Sequence, residues 1–402
     1  MKKVLFISYL FPPIGASQRA LKFAKFLPQF GWSPIILTPE KSNYPKVDKT
    51  MLNEIPKECE VFRLKSCEKL PGNPYITIND FLQGWFPATI MEGVRLIEEK
   101  KIDAIYSVSA PYVSLLSGLA LKRLTGKPLV IDLRDEWTTN PFIQRSRYKK
   151  DIGFNKKLEI QVLKESDAVI TVSDSIKDTL FKLSGTKSKK KFHTIMNGYD
   201  SEDFNNITLT TQNNDKFKIC YMGSIYGHIK ILADRFFKDF EKSLREKKIR
   251  SNKVEIRLVG YLDNIRFPDN WKLNSLIKRT GYVNHNSALK MAASSDLLLL
   301  LIDPKQGDQT VTSKIFELIN LRKPILAIVP PNGAAAKIIR ETRTGIVIDS
   351  NRPWEAIRII ETYIRSWEQG VLRINPDMHA IENYDRRRLT ERLAAILNNV
   401  TK

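Results

Sequence analysis

The stretch DLLLLLIDPKQGDQTVTSKIFELINLRKPILAIVPP, from Asp296 to Pro331, holds two apolar runs separated by a polar loop and a short helical pattern. Leu297 to Ile302 and Ile325 to Val329 are too continuous for strands with one wet face, so both belong in a sheet covered on both sides. A connection of this length with a helix inside it joins parallel neighbours, not a hairpin. Ser313 stands where an N-cap belongs, and Lys314 to Leu321 is then the helix, its first N–H groups facing the edge where the strand ends. Glu317 falls at the fourth helical position, too late to close a capping box with Ser313. A carboxylate there can accept both hydroxyls of a ribose; as an exposed helical glutamate it would pair with Lys314 for only about 0.2–0.5 kcal/mol. Composition leaves both readings open.

The same alternation extends in both directions. Downstream lies GIVID from Gly345, and upstream lie KICYMGS from Lys218, VEIRLVG from Val254 and an IKRTGYV run near Ile277. Helices fit at Ile231 to Lys247, Ser287 to Ala293, Ala334 to Glu341 and Trp354 to Glu368. The first half repeats the scheme, with strands beginning at Val4, Ser33, Glu60, Asp103, Pro128, Asp167 and Phe192. Its helices fit near Ser17 to Gln29, Pro87 to Lys100, Tyr112 to Thr125, Phe154 to Glu165 and Ser175 to Leu183. Between the halves runs SEDFNNITLTTQNNDK, Ser201 to Lys216, rich in Asn, Thr and Asp, which reads as an interdomain linker. The expected fold is α/β, with two doubly wound parallel-sheet domains at 1–205 and 206–380 facing each other across a cleft. A final piece, 381–402, carries a helix at Arg386 to Leu397 with no strand of its own. Ligands of open parallel sheets bind outside the carboxyl ends of the strands, so the chemistry belongs in the loops that follow them.

Composition narrows the partners without choosing one. With 402 residues, 42% hydrophobic and 27% charged, the chain has the make-up of a globular protein of about two domains. Its net charge of +21 favours polyanions: nucleic acid, anionic lipid headgroups or sugar nucleotides. Runs at Lys187 to Lys191 and Arg386 to Arg388 read mostly as solvated surface. Cys59, Cys67 and Cys220 are an odd set without CxxC spacing, which argues against a disulfide framework or zinc site and fits a reducing cytosol. The basic, apolar start MKKVLFISYLFPP is broken by Pro12 and Pro13, with no small-residue cleavage site behind, so a signal peptide is not expected. The longest apolar run, Leu297 to Ile302, is far below the roughly 20 residues that span a bilayer.

Two loops stand out as anion sites. FPPIGASQRALKFAKFL follows the first strand: Gly15 permits a tight turn, Ser17 can cap the next helix, and Arg19 can reach a phosphate or lie solvated. Gly15 stands alone, so the GxGxxG dinucleotide fingerprint is missing. GSIYGHIK follows the second half's first strand, where Gly223 and Gly227 bracket a loop whose N–H groups could draw in a diphosphate. Lys230 is either a helper there or a first-turn surface lysine.

Almost from end to end these segments resemble the glycosyltransferase family 4 group of retaining enzymes with the GT-B fold. The resemblance runs through PP-x-x-G at Pro12 to Gly15 with Arg19 behind it, DAIYSVSAPY, PLVIDLRDEW, SDAVITVSDSIKDTL and MNGYDSEDF. It continues with YMGSIYG, RLVG, GYVNHNSALKMAASSDLLLLL and SKIFELINLRKPILAIVPP. What it implies is transfer of a sugar from a nucleotide-diphosphate donor to a glycan or lipid-linked acceptor, with retention and without a metal or other cofactor. Implied too are two Rossmann-like domains, the donor mainly on the second and the acceptor on the first, with the last helix crossing back to the first. By the family pattern Glu317 matches the second acid of a Glu-x7-Glu motif and holds the donor ribose, while the first acid falls on Gln309, which is uncharged. The usual arginine after the glycine of the second domain's first loop is Ser224, which leaves the diphosphate to Lys230, Lys314 and the helix capped by Ser313. The usual histidine after the PLVIDL strand is Arg134, followed by a matching Asp135. A guanidinium is no base at neutral pH, so Arg134 is expected to bind phosphate or orient Asp135, and these two with Lys314 form the expected catalytic set. RDEW-type sequences form a recognisable subgroup.

A non-catalytic sugar-nucleotide or glycan-binding relative is the competing reading, and Gln309 is what keeps it open. Nucleic acid is not expected, since no helix-turn-helix, zinc finger or aromatic stacking motif accompanies the charge. The expected place is the cytoplasm, at the inner face of the membrane, with peripheral contact to anionic lipid. FLQGWFPATIMEGVRLI, Phe81 to Ile97, reads either as the docking surface or as a domain-packing helix.

Overall fold

The computed structural model describes residues 1–14, 17–40, 47–65, 84–140, 152–207, 215–225, 227–260, 262, 265–306 and 311–402. The chain divides into two compact units, Met1–Asn197 with Arg386–Lys402 and Gly198–Asp385. The first division falls ahead of the Ser201 to Lys216 segment. Tyr199 N donates to Tyr384 O at 3.1 Å and Tyr199 pairs with Asp385, which ties this turn into the second unit.

The first unit is built on seven parallel strands: β1 (Lys2–Ser8), β2 (Trp32–Pro39), β3 (Glu60–Leu64), β4 (Ala104–Val108), β5 (Leu129–Leu133), β6 (Ala168–Thr171) and β7 (Phe192–Thr194). Their order is β3-β2-β1-β4-β5-β6-β7. Successive side chains of a strand point to opposite faces, and here both faces are dry. Leu5 and Ile7 join one core, with Leu96, Leu115 and Val162 from the helices Trp85–Glu99, Val113–Thr125 and Ile152–Glu165. Val4 and Phe6 join the other, with Phe23 from the helix Gln18–Phe26 and Leu389, Leu393 and Leu397 from the last helix, Arg386–Val400. The strandless last helix is thus the lid of this second core.

Trp85 is fully buried and Phe86 packs against the first core, so of the two sequence readings of this segment the Trp85–Glu99 helix follows the domain-packing one and not the docking surface. Met91 is its one large apolar side chain that is mostly exposed, and residues 81–83 lie outside the described ones. Lys191, in the basic run, is only partly exposed: its Nζ donates to Lys164 O and Ser166 O at 2.8 and 3.0 Å.

The second unit carries six parallel strands: β8 (Phe217–Met222), β9 (Val254–Val259), β10 (Ile277–Gly281), β11 (Leu297–Leu301), β12 (Ile325–Val329) and β13 (Gly345–Asp349). Their order is β10-β9-β8-β11-β12-β13. Leu297, Leu299 and Leu301 join the core formed with the helices Gly227–Arg245 and Glu355–Glu368, while Leu298 and Leu300 are buried on the opposite face. The five leucines read from the opening stretch therefore fill two cores at once. β8 and β11 are neighbours although far apart in sequence, so the order reverses between them, which is where such sheets open a binding crevice. Several helices start earlier than their apolar periodicity indicates, at Gly227 instead of Ile231 and at His285 instead of Ser287. The short helix Met378–Glu382 has no counterpart in the sequence reading.

Candidate functional site

Gly223 directly follows β8, and its backbone at φ +133° is a conformation that only glycine adopts readily. A Cβ placed there would lie 1.7 Å from Lys314 Nζ and 2.3 Å from Cε, so the lysine is seated directly against the glycine. The neighbouring strand supplies a second gap of this kind: at Gly260, φ +123°, a Cβ would lie 2.4 Å from Gly223 O. Gly223 N donates to Val259 O at 2.7 Å, which extends the pairing of β8 with β9 by one residue. Tyr221 supports the arrangement from the strand itself, its ring centroid 5.7 Å from Lys314 Nζ and its hydroxyl donating to Ser224 O at 3.2 Å. Two loops of the sequence reading, after β8 and after β11, thus meet through Gly223 and Lys314.

The helix Lys314–Asn320 begins as expected, but Ser313 does not cap it. Ser313 already has helical dihedrals, φ −56° and ψ −26°, and its side chain makes no capping bond. Glu317, one turn in, is not paired with Lys314. Its Oε1 accepts from His285 Nε2 at 2.9 Å, and His285 opens the helix His285–Ala293, which follows β10. Lys230 is turned to Asp234 Oδ2 at 3.2 Å in an exposed pair of the kind that contributes little, which favours the surface-lysine reading. Gln309 and Gly15 lie outside the described residues.

In the first unit the structure corrects the reading of Arg19. Instead of facing a phosphate or solvent it is 2% exposed and spans the core. Its Nε and Nη2 donate to the two oxygens of Asp132 on β5 at 2.8 and 3.2 Å, Nη2 also to Ile195 O, and Nη1 to Met196 O and Asn197 Oδ1. Tyr106 on β4 donates its hydroxyl to Asp132 as well, and burial together with that carboxylate pushes the phenol well above its ordinary range. This is a satisfied buried charge pair that ties β5 to the segment leaving β7. Ser17 is likewise not a cap: its hydroxyl donates to Ile14 O.

Arg134 and Asp135 sit in the turn after β5, where Arg134 N donates to Ser109 Oγ at 3.3 Å. The turn is held from behind. Trp137 stacks on Tyr112 at 4.8 Å between ring centroids, Tyr112 donates its hydroxyl to Glu136 O at 2.6 Å, and Thr138 donates N–H and hydroxyl to Glu159. Burial pushes Glu136 and Glu159 upward from ordinary carboxyl values, and at Glu159 the bonds from Thr138 pull the other way.

Sequence reasoning missed His285, Tyr221 and Gly260. The one signal for His285 was Asn284, whose side chain accepts from Ser287 N and caps the helix two residues before its apolar pattern begins.

No curated protein matches the sequence. Residues 14–203 match the Glycosyltransferase Family 4 profile. Among solved structures, a glycosyltransferase from Rickettsia africae ESF-5 aligns over 100% of this chain and 99% of its own, with a TM-score of 0.68 and 15% identity. The lipopolysaccharide outer core galactosyltransferase WaaB, in its apo form, aligns over 99% and 98% with a TM-score of 0.57 and 13% identity. A UDP-N-acetylglucosamine 2-epimerase aligns over 98% and 94% with a TM-score of 0.54 and 12% identity. At these identities the likeness is one of fold, the GT-B architecture of two Rossmann-like parallel-sheet units. The profile match on the first unit, taken with that fold, supports a transferase enzyme of the glycosyltransferase kind.

Proposed function

We propose that the protein is a retaining glycosyltransferase that moves a sugar from a nucleotide-diphosphate donor to a glycan or lipid-linked acceptor in cell-surface polysaccharide synthesis, without a metal. The observation that carries this reading is the seating of Lys314 against Gly223 outside the carboxyl ends of β8 and β11, at the reversal of strand order, with Glu317 one turn further along the same helix. The missing Cβ of Gly223 makes room for the Lys314 ammonium against the backbone, and a lysine held there supplies a fixed positive charge for a diphosphate. Glu317 accepts the ribose hydroxyls.

In the reaction the bond from the anomeric carbon to the diphosphate oxygen breaks, and Lys314 takes up the charge that develops there. The acceptor hydroxyl attacks from the same face, and its proton passes to the departing diphosphate. We also propose that Arg134, on the first unit, binds phosphate or orients Asp135, and that the protein works at the cytoplasmic face of the membrane.

A thermal-shift screen with UDP-, GDP- and ADP-sugars tests the donor, because a ligand that binds only the folded state raises its melting temperature. One of the three is expected to raise it, and EDTA is expected to leave subsequent transfer unchanged. Absence of a shift with all three would remove the reading. A shift without transfer or donor hydrolysis would favour the binding-only relative that the amide at Gln309 allows, and conversion of the donor to its epimer would place the protein with the epimerase neighbour.

A further inference from the structure

Glu317 owes its place to a residue on another element. His285 Nε2 lies 2.9 Å from Glu317 Oε1, with the two side chains 31% and 21% exposed. A carboxylate only accepts, so the shared proton sits on Nε2 whether the imidazole is neutral or charged. Each partner is anchored at a helix start. Asn284 Oδ1 accepts from Ser287 N at 2.8 Å below His285, and Glu317 is in the first turn of the helix whose Lys314 seats against Gly223. An unpaired glutamate at the rim of a site samples several rotamers, and a ligand must freeze one of them. Here folding has done so already.

We propose that His285 is a positioning residue for the donor's ribose: its Nε2–H holds Oε1 of Glu317 and thereby aims the carboxylate at the ribose hydroxyls. This rests on the donor reading above. It predicts that the protein's preference for a ribose over a sugar without hydroxyls depends on a side chain that does not itself touch the nucleotide.

The test is calorimetric binding of UDP, GDP and ADP and of their 2′,3′-dideoxy counterparts to wild type, His285→Ala and His285→Gln. Wild type should prefer the ribonucleotide by roughly tenfold or more, the scale of a hydrogen bond to a charged group. His285→Ala should lose most of that preference, and His285→Gln, which keeps an N–H donor at the same reach, should retain it. If His285→Ala weakens ribose and dideoxyribose forms equally, or if wild type does not distinguish them, the positioning role is wrong while the donor reading stands. If none of the ribonucleotides binds wild type, the donor reading falls and takes this inference with it.

Discussion

At the scale of single residues, two basic side chains that look alike in sequence do opposite work. Lys314 sits against Gly223 at the strand reversal, where the proposed function gives it the charge that develops on a departing diphosphate. Lys314→Ala should therefore fold normally and lower turnover by about a hundredfold, measured as initial transfer rate at saturating donor. Near-normal turnover would remove the assignment. Arg19 faces inward to Asp132, with both side chains almost fully buried. Arg19→Ala leaves that carboxylate buried without its cation, and the expected loss is about 3–5 kcal/mol in a denaturant titration, with nucleotide affinity unchanged under conditions where the variant is folded. Loss of affinity with intact stability would restore the phosphate-binding reading. Neither outcome could be read from the chain, because the burial of an arginine depends on which residues the sheet brings beside it. His285 is the same case: its partner Glu317 is distant in sequence.

At the scale of elements, the strands were legible and the helix starts were not. Continuous runs such as Leu297 to Ile302 can satisfy their side chains only between two layers, so local sequence and tertiary burial agree and the strand assignment is secure. Helix starts depend on caps, and a Ser at the right position competes with other hydrogen bonds: Ser173 caps through Ile176 N, whereas Ser17 turns to Ile14 O and Ser313 makes no cap. The turn after β5 shows how much of an element's geometry comes from outside it. Thr138 is held by Glu159 on the Ile152–Glu165 helix, a residue the sequence reading passed over. Burial raises the Glu159 pKa above its ordinary 4.5. The folded state then keeps a proton that the unfolded chain has released, so this group lowers stability progressively as pH rises from about 4.5 until Glu159 ionises in the folded protein too. Glu159→Gln cannot titrate but can still accept from Thr138. Its melting temperature should gain on that of wild type as pH rises through this window, and parallel curves for the two proteins would show that Glu159 is not the source.

For the whole molecule the question is where a net charge of +21 is used. No helix among the described residues is long and apolar enough to cross a membrane. The helical part of the Phe81 to Ile97 segment, one of whose two sequence readings was a docking surface, is committed to a core through Trp85 and Phe86. Part of the basic surplus is also engaged, since Lys191 holds backbone carbonyls and Arg386 is buried. Exposed basic residues would attract an anionic leaflet by about 1 kcal/mol each near the surface, without needing an apolar element to insert. Contact of that kind has a definite signature. Sedimentation with phosphatidylserine-containing vesicles should show binding at low ionic strength, none to vesicles of phosphatidylcholine alone, and loss of binding near 1 M salt, where screening shortens to about 3 Å. Salt-resistant binding would mean that an apolar element inserts after all, and indifference to lipid charge would free the surplus for the donor's phosphates alone. In that second case the charge should act on the enzyme's kinetics: raising salt would then increase the KM for the nucleotide sugar while leaving the rate at saturation unchanged, because steering by surface charge alters encounter and not the chemical step.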